Sequence, residues 1–303
     1  MGRFFVAVLI LLAAVSGFSQ SDLQPLLSAQ TQFDKTVAEH GMKSAFLEFL
    51  GEDAIVFQPY PINGRKFWSS RDADPTQQLV RTTTYSDISA SGLLGYTTGN
   101  WRLYQKGKSE ADARFGQYVT IWERKAGKFQ AVLDIAVSHE KLPFHQTNSP
   151  VRKKQTRDIN KRGWSPADAS MNFLRAGMGP ERLGGAYKKF AADDVRLLRD
   201  DQPPIIGKKH VVEEMNYYIS ILFPTKVVSF QSADMAYTWN DCSFDNSKEG
   251  AVQGNCLHIW KLRKKKWWIV LGVFAPVPND TKPEFTIKPR QPRTTQGTSH
   301  PNQ

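Results

Sequence analysis

The stretch GQYVTIWERKAGKFQAVLDIAV, residues 116–137, decides how the chain is read. Two runs that favour extended structure flank Lys125-Ala126-Gly127-Lys128, a polar turn containing glycine, which is the pattern of a β-hairpin. Side chains alternate along a strand, so Tyr118, Thr120 and Trp122 share one face, and Val132, Asp134 and Ala136 share one face of the next. Asp134 is thereby a carboxylate among apolar neighbours. The pattern returns in residues 254–273, GNCLHIWKLRKKKWWIVLGV, where Trp260 lies 138 positions after Trp122 and Gly272 lies 138 after Asp134.

Other landmarks repeat at nearly the same spacing. Residues 45–53 (AFLEFLGED) match 186–194 (AYKKFAADD) with a shift of 141, and Asn63-Gly64-Arg65-Lys66 matches Ile206-Gly207-Lys208-Lys209 with a shift of 143. Near-constant offsets point to a tandem duplication, with a unit far longer than a solenoid repeat. In each half, helical spacing comes first and strands follow, which is α+β order. Residues 26–50 read as a helix broken near Gly41, and Ser165-Pro166 reads as a second helix start, with serine as cap and proline in the first turn.

Around these halves lie segments of other composition. Arg3 precedes an apolar run over residues 4–15, followed by Ser16, Gly17 and Ser19, so residues 1–20 are expected to be a secretory signal peptide. That run is shorter than a spanning helix needs, and no later stretch is apolar enough, so no membrane span is expected. The expected divisions are a first domain over 21–140, a basic linker over 141–164, a second domain over 165–278, and a disordered Pro-rich basic tail over 279–303. The mature chain would be secreted or periplasmic. The formal charge of the full sequence, +11, is concentrated in linker, tail and the 263–266 run, with no nucleic-acid motif, so a nucleic-acid partner is not expected.

Gly51-Glu52-Asp53-Ala54-Ile55-Val56-Phe57, the Asn63-Gly64-Arg65 turn, residues 95–101 (GYTTGNW) and the run from Gly116 through Trp122 to Asp134 together resemble the nuclear transport factor 2-like superfamily, its SnoaL-like branch in particular. The resemblance covers most of the chain, once per half. It implies two tandem cone-shaped domains, each with N-terminal helices packed on a curved antiparallel sheet around a pocket open at one end. The branch includes isomerases, cyclases, dehydratases and many domains that only bind or dimerise. Pairing through the sheets, within one duplicated chain, would give an intramolecular pseudo-dimer.

Candidate residues follow. Asp134, if desolvated in a pocket, would have its pKa raised and could exchange protons beside a carbonyl; otherwise it is a structural carboxylate bonded to an Arg or Tyr. Tyr60, Trp68, Tyr96, Trp101, Tyr118, Thr120 and Trp122 could line a pocket for a small hydrophobic or aromatic molecule, with His258 and Trp260 at matching places in the second half; core packing is the competing role. Cys242 and Cys256, in an exported chain, suggest a structural disulfide between facing strands. There is no histidine pair with a carboxylate at metal-ligand spacing and no phosphate-binding loop, so neither metal nor cofactor is expected. Three readings remain open: a ligand-binding or assembly protein, a cofactor-independent enzyme using Asp134, and an envelope-surface protein using its basic segments.

Overall fold

The computed structural model describes residues 23–109, 112–141, 163–221, 224, 227–246 and 250–278. The expected signal peptide, most of the linker and the whole of the tail lie outside them. The first half runs α1 (Gln24–Phe49), β1 (Leu50–Phe57), β2 (Pro61–Asn63), α2 (Gly64–Ser70), β3 (Gln77–Ile88), β4 (Leu94–Gln105), β5 (Arg114–Lys125) and β6 (Lys128–His139). The second runs α3 (Pro166–Gly177), α4 (Arg182–Phe190), β7 (Ala191–Arg199), β8 (Ile205–Ile206), α5 (Lys208–Met215), β9 (Tyr218–Ser220), β10 (Val228–Ser232), β11 (Met235–Asn246), β12 (Gly250–Arg263) and β13 (Lys266–Pro276). The fold is α+β.

Local chemistry sets the boundaries. Gly41, at φ 81° and ψ 168°, breaks α1 into two stretches, a conformation that costs glycine little. The Ser165 hydroxyl accepts from the Asp168 N–H, and the Asp168 carboxylate accepts from the Ser165 N–H, closing a capping box at α3. Between β5 and β6, Ala126 and Gly127 both have positive φ, as a two-residue hairpin turn of this hand requires; Lys264 and Lys265 do the same between β12 and β13.

The two sheets share one strand order. The first is β2-β1-β6-β5-β4-β3, and the second is β8-β7-β13-β12-β11-β10 with β9 also on β11. Each is antiparallel except for one pair, β1 with β6 and β7 with β13. The register slips at corresponding places, between Ile121 and Trp122 and between Ile259 and Trp260. This slip leaves Val132 without a strand partner and turns it to the opposite face from Asp134 and Ala136, against the simple alternation read from sequence.

Alternation then builds four layers. Trp122 and Ala131 pack under α1 and α2, and Trp260 and Ile269 pack under the helices of the second half. Val119, Ile121, Leu133 and Ile135 face the other way and meet Leu257, Ile259, Leu271 and Val273 in a shared core between the sheets. Burying each such side chain contributes about 1.5–3 kcal/mol. Polar ties fasten the rim: Lys261 Nζ lies 3.3 Å from Asp87 and 3.2 Å from Asp234, and Ser138 N–H donates to Asp200 at 2.7 Å.

Candidate functional site

A cleft of about 900 Å³ opens in the first half, between α1, α2 and the sheet. Phe46, Trp68, Trp101 and Ala136 line it, with Arg81 and Asp134 among the polar groups; Asp200, Ala275 and Pro276 of the second half complete its lip.

Arg81 comes from β3 and Asp134 from β6, strands at opposite sides of β4 and β5. Their side chains are only 5% and 9% exposed. Arg81 donates through Nη1 to Asp134 Oδ2 and through Nη2 to Oδ1, both at 3.0 Å, in a two-pronged pairing. Thr120 Oγ1 donates to Asp134 Oδ2 at 2.6 Å and accepts from Arg81 Nη1 at 3.1 Å. The guanidinium carbon lies 4.5 Å from the Tyr118 ring centre and 5.0 Å from that of Phe33. Burial opposes the Arg81 charge, and the Asp134 carboxylate more than offsets it, holding the guanidinium above its ordinary value.

A second acid stands near this pair. Asp34, on α1, accepts from the Gln30 amide at 2.9 Å. Burial raises its pKa from 3.8 to about 6, against the lowering field of Arg81. Tyr118 has its hydroxyl 2.7 Å from Thr83 Oγ1, and burial pushes its pKa up.

The residues expected from sequence distribute unevenly. Asp134 and Trp68 line the cleft, and Tyr118 and Thr120 support it from beneath with their hydroxyls already bonded. Tyr96 instead packs between the sheets, because its position on β4 faces the second half. Trp122 is fully buried under α1, its Nε1 donating to Thr97 Oγ1 at 3.0 Å. Tyr60 sits half-buried in the turn between β1 and β2, outside the lining. Trp101 also lines the cleft, whereas Arg81 and Asp34 were not singled out by sequence. Trp101 crosses Gly116, where an added Cβ would stand 2.6 Å from the indole ring.

The second half fills the corresponding space. Thr120 opposite Asp134 becomes His258 opposite Gly272, and Tyr118 opposite Ala136 becomes Cys256 opposite Phe274. A Cβ on Gly272 would approach the Tyr187 hydroxyl at 3.0 Å. That hydroxyl lies 3.3 Å from His258 Nε2, and burial lowers the His258 pKa to about 3, so the ring is neutral. Phe274 stands 4.9 Å from Phe244, and Cys242 is bonded to Cys256 with Cα atoms 5.9 Å apart. His258 and Trp260 are therefore core residues, with Trp260 Nε1 donating to Thr238 at 2.9 Å as Trp122 does to Thr97. The counterpart of β3 is divided into β9 and β10, and the sequence between them, ILFPTKV (221–227), contains no arginine.

Among the described residues, no three His, Cys, Asp or Glu side chains gather as a metal-binding group, and no helix is long and apolar enough to cross a membrane. No family model matches the sequence, and no curated protein matches it. Solved structures do match in part. A nuclear transport factor 2-like protein from Shewanella oneidensis is 13% identical, over 37% of this chain and 96% of its own, with a TM-score of 0.31. A protein of the same superfamily from Salmonella enterica is 12% identical over 40% and 94%, with a TM-score of 0.32. The association domain of CaMKII from C. elegans is 12% identical over 37% and 92%, with a TM-score of 0.30.

Proposed function

We propose that this chain is an exported, tandem nuclear transport factor 2-like protein of the SnoaL-like kind, whose first unit (21–140) binds a small organic molecule and whose second unit (165–278) serves as its scaffold. One observation carries this reading: the space over Arg81 and Asp134 is open in the first half, while Phe274, Tyr187 and the disulfide occupy its counterpart in the second. The shared strand order and the matching register slips support descent of both units from one duplicated ancestor, paired as an intramolecular pseudo-dimer. The disulfide suits an oxidising compartment, in keeping with export.

The alternative, an isomerase, cyclase or dehydratase with Asp134 as acid and base, has less support. Both Asp134 oxygens already accept from Arg81, and Oδ2 also accepts from Thr120. Such a carboxylate is suited to holding a guanidinium still.

The test is a fluorescence titration of the purified protein with N-phenyl-1-naphthylamine, an uncharged aromatic probe. A single saturable site is expected. A signal that never saturates, or none, would count against ligand binding.

A further inference from the structure

Two side chains that line the cleft each carry a buried nitrogen donor with no acceptor among the described residues. Arg81 commits Nη1 and Nη2 to Asp134 and Thr120, which leaves Nε. That Nε is buried and has no acceptor among the described residues, and the same is true of Trp68 Nε1. Both side chains line the cleft. Both also pack on Phe46: the Trp68 ring stacks on it at 4.5 Å, and the Arg81 guanidinium carbon lies 5.4 Å from its centre. A buried N–H without an acceptor is unfavourable, so an oxygen brought by a ligand would be bound with advantage.

Charge narrows the choice of ligand. The Arg81 cation is matched by Asp134, and Asp34 adds a further acid in its field. The floor therefore has no surplus positive charge for an anion, and a neutral acceptor meets the donors without repulsion. The stacked Phe46 and Trp68 rings, with Trp101 nearby, favour a flat apolar body.

We infer that the first-unit cleft takes an uncharged, flat organic molecule with a hydrogen-bond acceptor oxygen directed at Arg81 Nε and Trp68 Nε1. This rests on the cleft being the binding site.

Three probes of one shape test it on the full chain by calorimetric titration: 2-acetylnaphthalene, 2-ethylnaphthalene and 2-naphthoate. The ketone should bind about tenfold more tightly than the hydrocarbon, the gain of acceptor bonds to otherwise unpaired donors. The carboxylate should bind no more tightly than the ketone. Trp68→Phe removes the N–H and leaves a smaller ring on Phe46, so it should weaken the ketone several-fold more than it weakens 2-ethylnaphthalene. Equal binding of ketone and hydrocarbon, or equal weakening of both by Trp68→Phe, overturns the inference while leaving the cleft as a binding site. Tightest binding of the carboxylate overturns the assignment of an uncharged ligand. Failure of all three to bind overturns the cleft reading itself.

Discussion

Ala136 and Phe274 stand at matching positions on the last strands of the two sheets, opposite Tyr118 and Cys256 respectively. Ala136 is exposed on the wall of a cleft, and Phe274 is buried in the core of the second half. One side chain thus marks the difference between an open unit and a closed one.

Phe274→Ala should empty the filled counterpart. Loss of a buried phenylalanine in a packed core costs about 3–5 kcal/mol. Urea unfolding of the variant should show that loss as a lower midpoint. A loss under about 1 kcal/mol would mean that Phe274 is not packed as described.

Breaking the buried pair on one side should cost far more than removing it whole. Asp134→Leu leaves the Arg81 guanidinium unpaired in a dry site, at a cost of about 3–5 kcal/mol. Adding Arg81→Met to that variant should restore most of the stability, as measured by urea unfolding of the four combinations. Additive losses would show that the two side chains do not depend on each other.

Asp34 gives a pH signature. Its folded pKa, about 6, lies above the unfolded 3.8, so the folded state binds the extra proton between those values. Stability from this group is present below pH 4 and is lost as pH rises through 6. Asp34→Asn should remove that slope, raising stability at pH 7.5 relative to the parent by on the order of 2 kcal/mol and changing little at pH 4. Unfolding curves at the two pH values provide the check, and parallel pH dependence in both proteins would contradict it.

The disulfide closes a separation of 14 residues between β11 and β12. In the chain-entropy account a loop of this size contributes about 3 kcal/mol. The double variant Cys242→Ser, Cys256→Ser should lose about that much in urea unfolding. Iodoacetamide should label neither cysteine in the unreduced parent.

Much of the fold was legible because its signals are local. The hairpin turn at Ala126-Gly127, the break at Gly41 and the cap at Ser165 each depend on a few neighbouring residues. The site was legible only in part. Asp134 stood out as a carboxylate between apolar residues, but its partner did not. Arg81 lies on β3 (QQLVRTTTYSDI), an edge strand whose polar, half-exposed beginning carries no clear alternation. A charge there looks solvated until β4 and β5 curl it over Asp134. Asp34 similarly looks like the solvent side of a helix, because its burial comes from docking α1 on β3. Tyr96 and the two buried tryptophans were read as possible lining because sequence periodicity separates faces without saying which face borders a helix and which a second sheet.

The most direct measurement is a titration of Ala136→Phe with N-phenyl-1-naphthylamine beside the parent protein, since this substitution gives the first unit the side chain that fills the second. The saturable binding of the parent should be lost in the variant while its melting temperature holds. Unchanged affinity in Ala136→Phe would contradict the placement of the ligand site in this cleft.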